Sequence, residues 1–445
     1  MIAIISKIFL IIIIILQISC SNKDQTYDKN KAIIAFNQKD QLAISKSAPI
    51  IKLEEQISAK SWNFIESNHQ NGRIGNFIKD FNFKKNKFYF KDYHKIILDY
   101  SLRNKDLKLD LPVIINDKLF ILDNNAKLSL IDLNSNKKIW QKQIFKKDIF
   151  EFYNNPKLAG DNSKLYAHIS TNEIKAIDIN SANIIWSKKL SSLIISKPVI
   201  SDNLLYLLSD DNKLYAINTQ NGKILWVHKT ISNPTTISGA ADPVIFKDYI
   251  IISYSSGEVF ALNKKNGQEI WSDKLNSKNF NNSNYYLNDI DATPIIIKDK
   301  LYIIGNGGLM KAININSGKI IWHRDISSIN DFHINKNYIY LIDNNAKLIS
   351  LSLSDAKIKW IKNLKEFKNN KKPNSKIIYN GIIMADNKLL VNSTDSNIII
   401  ISPDNGDILG EIKIGGSNFH SPIIINNKIY LMSKNWYSRY ILSFK

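Results

Sequence analysis

The sequence predicts an all-β protein: an eight-bladed β-propeller of four-stranded blades, its eighth blade closed by an N-terminal strand. Three observations predict it. One phrase of turn, short strand and tryptophan recurs along the chain, as NGKILWVHK at 221–229, NGQEIWSDK at 266–274 and NSGKIIWHRD at 316–325, with looser copies SNKKIWQKQ, SANIIWSKK and DAKIKWIKN. Its anchors Trp140, Trp186, Trp226, Trp271, Trp322 and Trp360 stand 38 to 51 residues apart, and a recurring period of about 20–50 residues marks a solenoid, a propeller or an array. The text ahead of each anchor also repeats in order: apolar run, polar turn, apolar run, Asp/Asn-rich turn, alternating run, turn, tryptophan strand.

Residues 198–226 show the unit best: PVISDNLLYLLSDDNKLYAINTQNGKILW. Four strands joined by three tight turns account for this stretch. Proline opens the first strand, at a position that needs no ladder donor. The apolar and β-branched runs that follow suit strands buried on both faces. Gly222, Gly267, Gly318 and Gly406 stand in the last turn, where a positive φ is expected. The tryptophan supplies one large rigid surface to pack on the neighbouring sheet. Four-stranded units that bury both faces against copies of themselves make propeller blades. The second copy, at 157–179, has the weakest first strand, and a seventh copy, DNGDILGEI, carries Gly410 in the tryptophan slot.

An eighth copy begins at Pro422, and the sequence ends at Lys445 after its third strand. Residues 96–102, IILDYSL, lie where a preceding blade's outer strand would lie, and are expected to complete this blade so that no edge is left open. The propeller is thus assigned to 96–445, a packed extension to 61–95 and a polar tether to 20–60.

Residues 1–19 are read as a signal peptide. MIAIISKIFLIIIIILQISC has one lysine and an unbroken apolar run of nine residues from Ile8 to Leu16. Nine is too short to span a bilayer, which takes roughly 20, and fits the core of an export signal, about 7–15. The run ends at Cys20, the one cysteine of the chain. A small residue before a lone cysteine resembles a bacterial lipoprotein signal, which implies cleavage before Cys20 and acylation (palmitate) of that residue. The usual leucine three places earlier is Gln17 here, with Leu16 one place early. Ser21 in place of aspartate points to the outer membrane, facing the periplasm. With Cys20 acylated, no thiol remains for a disulfide, so the fold stands on packing and backbone hydrogen bonds.

The formal net charge is +20. Lysine, asparagine and isoleucine are over-used throughout, in turns and at strand ends alike, so the charge reads as compositional bias and no nucleic-acid partner is expected.

The blade phrase (apolar or small residue, Asp/Asn, two spacers, Gly, three spacers, Trp) resembles the PQQ-like repeat family, over about 350 residues from 96 to the end. That family holds quinoprotein dehydrogenases and a non-enzymatic branch. The lipoprotein signal, LNDIDATP at 287–294 and SSINDFHINKNYIYLID at 327–343 are similar to the lipoprotein propellers of the outer-membrane β-barrel assembly (BAM) complex. The resemblance implies eight blades, no enzymatic activity, docking on the periplasmic POTRA region of BamA, and association with other BAM components. Unfolded outer-membrane β-barrel substrates are a further candidate partner. In the resemblance, Asp289 and Asp291 correspond to two partner-binding aspartates. In TTISGAADP, 235–243, Ile237 matches the family's apolar position and Ser238 stands where the family has arginine. Asp289 and Asp291 equally suit caps of their own loop; the two roles are compatible.

The dehydrogenase reading is the alternative. It needs a catalytic Asp, a calcium held by Glu and Asn oxygens, and a pocket for a planar cofactor. The vicinal disulfide of that branch is impossible with one cysteine. The seven histidines show no metal-ligand spacing, and no cofactor and no metal are expected. His228 and His323 follow blade tryptophans and are expected on outer strands. Tyr285 and Tyr286, in the insertion KNFNNSNYYLND, suit either an interface or a loop folded down on the blades. A third class, a carbohydrate-binding or adhesive propeller, is not separated from these by any motif.

Overall fold

The computed structural model describes residues 44–45, 47–48, 56–57, 76–77, 93–99, 112–123, 125–146, 156–169, 171–231, 241–275, 289–367, 377–395, 397–413, 417–418, 422–425, 428–434 and 439–444 of the chain. Their strands fall into eight sheets, six of them four-stranded and antiparallel with strands in sequence order. Sheet 3 is Val199–Ser201, Leu204–Ser209, Lys213–Asn218 and Ile224–Lys229, called strands a to d. The same four occur in sheet 1 (113–143), sheet 2 (157–189), sheet 4 (244–274), sheet 5 (295–324) and sheet 6 (333–363). Sheet 7 (379–413) carries two added strands, Gln56–Ile57 and Asn76–Phe77, with Phe77 pairing in parallel with Ala385. The segment ahead of these also touches the sheets: Ser45 N donates to Ile358 O at 2.7 Å.

Sheet 8 contains Ile423–Ile425, Lys428–Lys434 and Arg439–Phe444, with Ser417–Asn418 at its margin. Its last strand pairs antiparallel with Tyr93–Asp99. The closing strand that spacing placed at 96–102 therefore runs at 93–99. Ile423 and Tyr430 of sheet 8 share one buried core with strands of sheets 1, 2 and 3, so the last sheet packs on the first. Further shared cores join sheet 3 to 4, 4 to 5, and 6 to 7. Sheets packed face to face in chain order, the last returning to the first, make a β-propeller.

Burial falls from the inner to the outer strands. In sheet 3 strands a and b are almost wholly buried, whereas strand d alternates exposed and half-buried, as it does over Ile184–Lys189 of sheet 2; in sheets 4 and 6 strand d buries its tryptophan. The outer edge is guarded by lysines such as Lys188, Lys189, Lys223 and Lys229, a usual protection against edge pairing. His228 and His323 lie on strand d of sheets 3 and 5, as expected. His228 Nδ1 lies 2.8 Å from the Tyr254 hydroxyl of the next sheet, and burial holds its imidazole below the usual histidine range.

The repeat has a physical explanation in one row of side chains across each sheet. In sheet 2 the row is Tyr166, Ala176, Trp186; in sheet 3 Tyr206, Ala216, Trp226; in sheet 5 Tyr302, Ala312, Trp322. In these sheets the flanking aromatic rings meet over a small middle residue, with centroids 6.1, 5.9 and 6.0 Å apart, tilted as ring quadrupoles favour; in sheet 1 Phe120 and Trp140 approach to 6.3 Å across Leu130. In sheet 7 the row is Leu390, Ile400, Gly410: the tryptophan is gone and the middle residue is larger. A bulge follows the row in all seven of these sheets, as between Ala216 and Ile217.

The tryptophan reaches onto the next sheet. Trp186 Nε1 donates to Thr219 O at 3.0 Å, Trp271 to Ile315 O at 2.6 Å, Trp322 to Leu353 O at 3.1 Å and Trp360 to Pro403 O at 2.8 Å. At the equivalent place between sheets 3 and 4, Lys264 O accepts instead from the Tyr206 hydroxyl at 2.8 Å. The final turn has a positive φ in all seven copies. Gly222, Gly267, Gly318 and Gly406 lie at 69° to 75°, and Asn136, Ala182 and Ala356 at 54° to 57°. Asn tolerates a positive φ better than most residues, the two alanines carry strain, and the three copies without the glycine are the looser ones in the sequence.

Candidate interaction face

Alternating strand direction puts the turns between b and c and the loops from d to the next a at one end of the propeller. The turns between a and b and between c and d lie at the other. Asp289 and Asp291 stand on the first of these ends, in the loop leading from sheet 4 into strand a of sheet 5.

The sequence ND-I-D-A alternates polar and apolar residues, and the fold uses the alternation as an anchor. Ile290 and Ala292 are buried, Ile290 in the core shared by sheets 4 and 5. Asp289 is buried as well, only 2% exposed, and its backbone O accepts from Asn306 N at 2.9 Å, tying the loop to the b–c turn of sheet 5. Asp291 is partly exposed. Its carboxyl is pushed up to about 6, first by burial and then by the neighbouring Asp289 carboxylate.

Neighbouring loops are stitched to this one. Ala241 N donates to Ile290 O at 3.1 Å. Thr293 N donates to Asp331 Oδ1 at 2.8 Å, joining the loop ahead of sheet 6. Lys197 N donates to Asp242 Oδ1 at 2.8 Å, joining the loops ahead of sheets 3 and 4. Lys197 and Thr293 each precede a strand-opening proline, which favours extended backbone, and each donates its N–H to a neighbouring loop's carboxylate. Four consecutive loops thus form one hydrogen-bonded platform.

Of the residues singled out in the sequence, Asp289 and Asp291 are brought together here. Ile237, Ser238, Tyr285, Tyr286 and Cys20 lie outside the described residues. Asp242 and Asp331 were missed. Each stands two places before its strand, at the same position in the repeat as the residue it bonds in the preceding loop, a signal that aligning the copies through their first strands would have given. Among the described residues no group of three or more His, Cys, Asp or Glu is placed to hold a metal ion, and no helix is long and apolar enough to cross a membrane.

Fold and platform together define a repeat propeller of the PQQ-like class, built from blades that differ mainly in their loops. A model of the family described as outer membrane protein assembly factor BamB matches residues 124–362. The chain belongs to that family. It is 24% identical to the outer membrane protein assembly factor BamB of Yersinia pestis over 323 residues, 71% of this chain and 80% of that protein. The crystal structure of BamB from Moraxella catarrhalis superposes with a TM-score of 0.65, at 15% identity, over 79% of this chain and 98% of that one. A europium-containing methanol dehydrogenase shares the fold, with a TM-score of 0.61 at 11% identity over 85% of this chain and 90% of that one.

Proposed function

We propose that this chain is an outer-membrane assembly factor: a non-enzymatic scaffold lipoprotein, anchored through Cys20 and facing the periplasm, that binds the POTRA region of BamA within the BAM complex and aids insertion of β-barrel proteins. The observation that carries this reading is the match to the BamB family over more than half of the chain. The loop geometry supports it. Asp291 is a partly exposed carboxylate on the stitched platform, with Asp242 and Asp331 nearby in its loops, and is suited to a cationic partner group. Asp289, being buried, holds the loop and raises its neighbour. Ser238, in place of the family's arginine, removes one charge-assisted contact.

The test is co-isolation. Tagged full-length chain, extracted from its own outer membranes in mild detergent, is expected to bring BamA with it. A Cys20→Ser variant is expected to leave the membrane fraction. Recovery of the wild type without BamA would count against the scaffold role.

The shared fold with a methanol dehydrogenase supports one alternative, a periplasmic quinoprotein dehydrogenase. Reduction of a redox dye by the purified chain with added quinone and an alcohol would favour it.

A further inference from the structure

Asparagine followed by glycine recurs in the described residues, at Asn221–Gly222, Asn266–Gly267, Asn306–Gly307, Asn380–Gly381 and Asn405–Gly406. Such a pair is chemically labile where the backbone leaves it free. The glycine nitrogen, once deprotonated, attacks the asparagine Cγ, and no glycine side chain hinders its approach. The five pairs differ in how the fold holds that nitrogen.

Three of them lie in turns between strands c and d, where the nitrogen is engaged. Gly222 N donates to Asn218 O at 2.9 Å, Gly267 N to Asn263 O at 2.8 Å and Gly406 N to Ser402 O at 3.0 Å. A hydrogen bond donated by the neutral group opposes its ionisation. Each of these glycines is also pinned against the tryptophan ring of the preceding repeat. Asn380–Gly381 lies within strand a of sheet 7, between the ladder pairs Asn380–Asn392 and Ile382–Val391.

Asn306–Gly307 is held differently. It occupies the b–c turn of sheet 5, and among the described residues Gly307 N has no hydrogen-bond acceptor. The turn is also less braced than its counterparts. In sheets 1, 4 and 6 it is closed by Ala126 N on Asp123 O at 2.9 Å, Gly257 N on Tyr254 O at 3.0 Å and Ala346 N on Asp343 O at 3.0 Å. Gly308 N, the corresponding donor in sheet 5, makes no such bond. Asn306 itself is partly exposed, so water reaches it. Its Oδ1 accepts from Asn344 Nδ2 at 2.7 Å, a donor facing the oxygen on which charge develops as the nitrogen adds to Cγ. The Oδ1 atoms of Asn221 and Asn266 also accept, from Lys223 N and Gln268 N at 3.0 Å. The free nitrogen is therefore what sets Asn306 apart.

We propose that Asn306 is a site of spontaneous deamidation in the folded protein, through attack by Gly307 N. That nitrogen loses its proton to water or hydroxide and its electron pair forms the bond to Cγ. The Cγ–Nδ2 bond breaks, and ammonia leaves after taking up a proton, which closes a succinimide ring. Water then adds to one of the two ring carbonyls and opens the ring to aspartate or isoaspartate. The net change is gain of water and loss of ammonia, with no oxidant or reductant. Either product adds a carboxylate at the end of the propeller that carries Asp291. In isoaspartate the main chain runs through the former side chain, so the oxygen that bonds Asn344 becomes a peptide oxygen.

The test follows the purified full-length chain, in detergent, as it ages at mildly alkaline pH, by tryptic digestion and mass spectrometry with electron-transfer fragmentation. A gain of about 1 Da at Asn306 is expected at least fivefold faster than at Asn221 and Asn266. In urea, where the turns are lost, the three rates are expected to converge. Gly308, not Gly307, carries the positive φ of this turn, at 89°, so Gly307→Ala is expected to fold, as circular dichroism checks, and to slow conversion at Asn306 at least fivefold without changing the other two. Conversion at Asn306 no faster than at Asn221 and Asn266 in the folded chain would overturn the proposal. The same ranking in urea would also overturn it, by tracing the preference to sequence and not to the fold. Undiminished conversion in the folded Gly307→Ala variant would remove Gly307 N as the attacking atom and overturn it as well.

Discussion

Gly267 lies against the indole of Trp226, the tryptophan of the preceding repeat, so closely that a Cβ on it would stand 2.6 Å from the ring. Gly222 meets Trp186, Gly318 meets Trp271 and Gly406 meets Trp360 in the same way, at 2.7 to 2.9 Å. The glycine and tryptophan of one written phrase therefore serve two different contacts. The glycine receives the ring of the sheet before, and the tryptophan reaches the sheet after.

Substitution at this slot is predicted to be asymmetric. Gly267→Ala adds a methyl where φ is +74° and the ring is in contact, and should cost about 2 kcal/mol or more, the left-handed penalty alone being about 1–2. Ala356→Gly, where φ is 54° and the residue is already buried, should change stability by less than about 1 kcal/mol, because relief of strain offsets the lost methyl and the gain in unfolded-state freedom. Denaturant midpoints of the two variants check this directly.

Trp186→Phe keeps a ring beside Tyr166 and loses the Nε1 bond to Thr219 O. A loss of about 1 kcal/mol is expected for the hydrogen bond, more with the shrunken ring. Trp226→Phe should lose less, since the matching carbonyl of Lys264 already accepts from Tyr206. Equal losses in the two variants would remove the role assigned to the Nε1 donors.

Asp291 makes stability depend on pH. Its folded carboxyl titrates at about 6, against about 3.9 in an unfolded chain. Between those values the folded protein holds a proton that the unfolded chain has released, so the contribution is most favourable below pH 4, falls as pH rises to 6 and stays low above it. Asp291→Asn should stabilise the protein by about 1–2 kcal/mol at pH 7, discounted for partial exposure, and have no effect near pH 4. Melting curves at both pH values decide it.

Much of the blade was legible because its determinants are local. Alternating apolar runs, Asp/Asn turns and the tryptophan all sit within one period, and strands a to d form where the phrase placed them. The closing pair of sheet 8 was legible through spacing, with a displacement of three residues because spacing fixes a strand's presence better than its ends. What escaped was contact between repeats. The bond from Lys197 N to Asp242 joins residues 45 apart that meet only once the sheets are stacked, so 235–243 read alone does not announce it; only their shared place in the aligned repeats points to it. The burial of Asp289 was hidden as well: ND-I-D-A reads as an exposed loop, and nothing in it announces the tie to Asn306 in the b–c turn of sheet 5.

The proposed docking of the Asp291 loop on BamA is tested most directly by the affinity of the full-length chain for the BamA POTRA region, wild type against Asp291→Arg, a substitution at a partly exposed side chain. The account predicts binding by the wild type and at least a tenfold loss in the folded variant, as a cation replaces the carboxylate. Equal affinity of the two, or no binding by folded wild type, would contradict it.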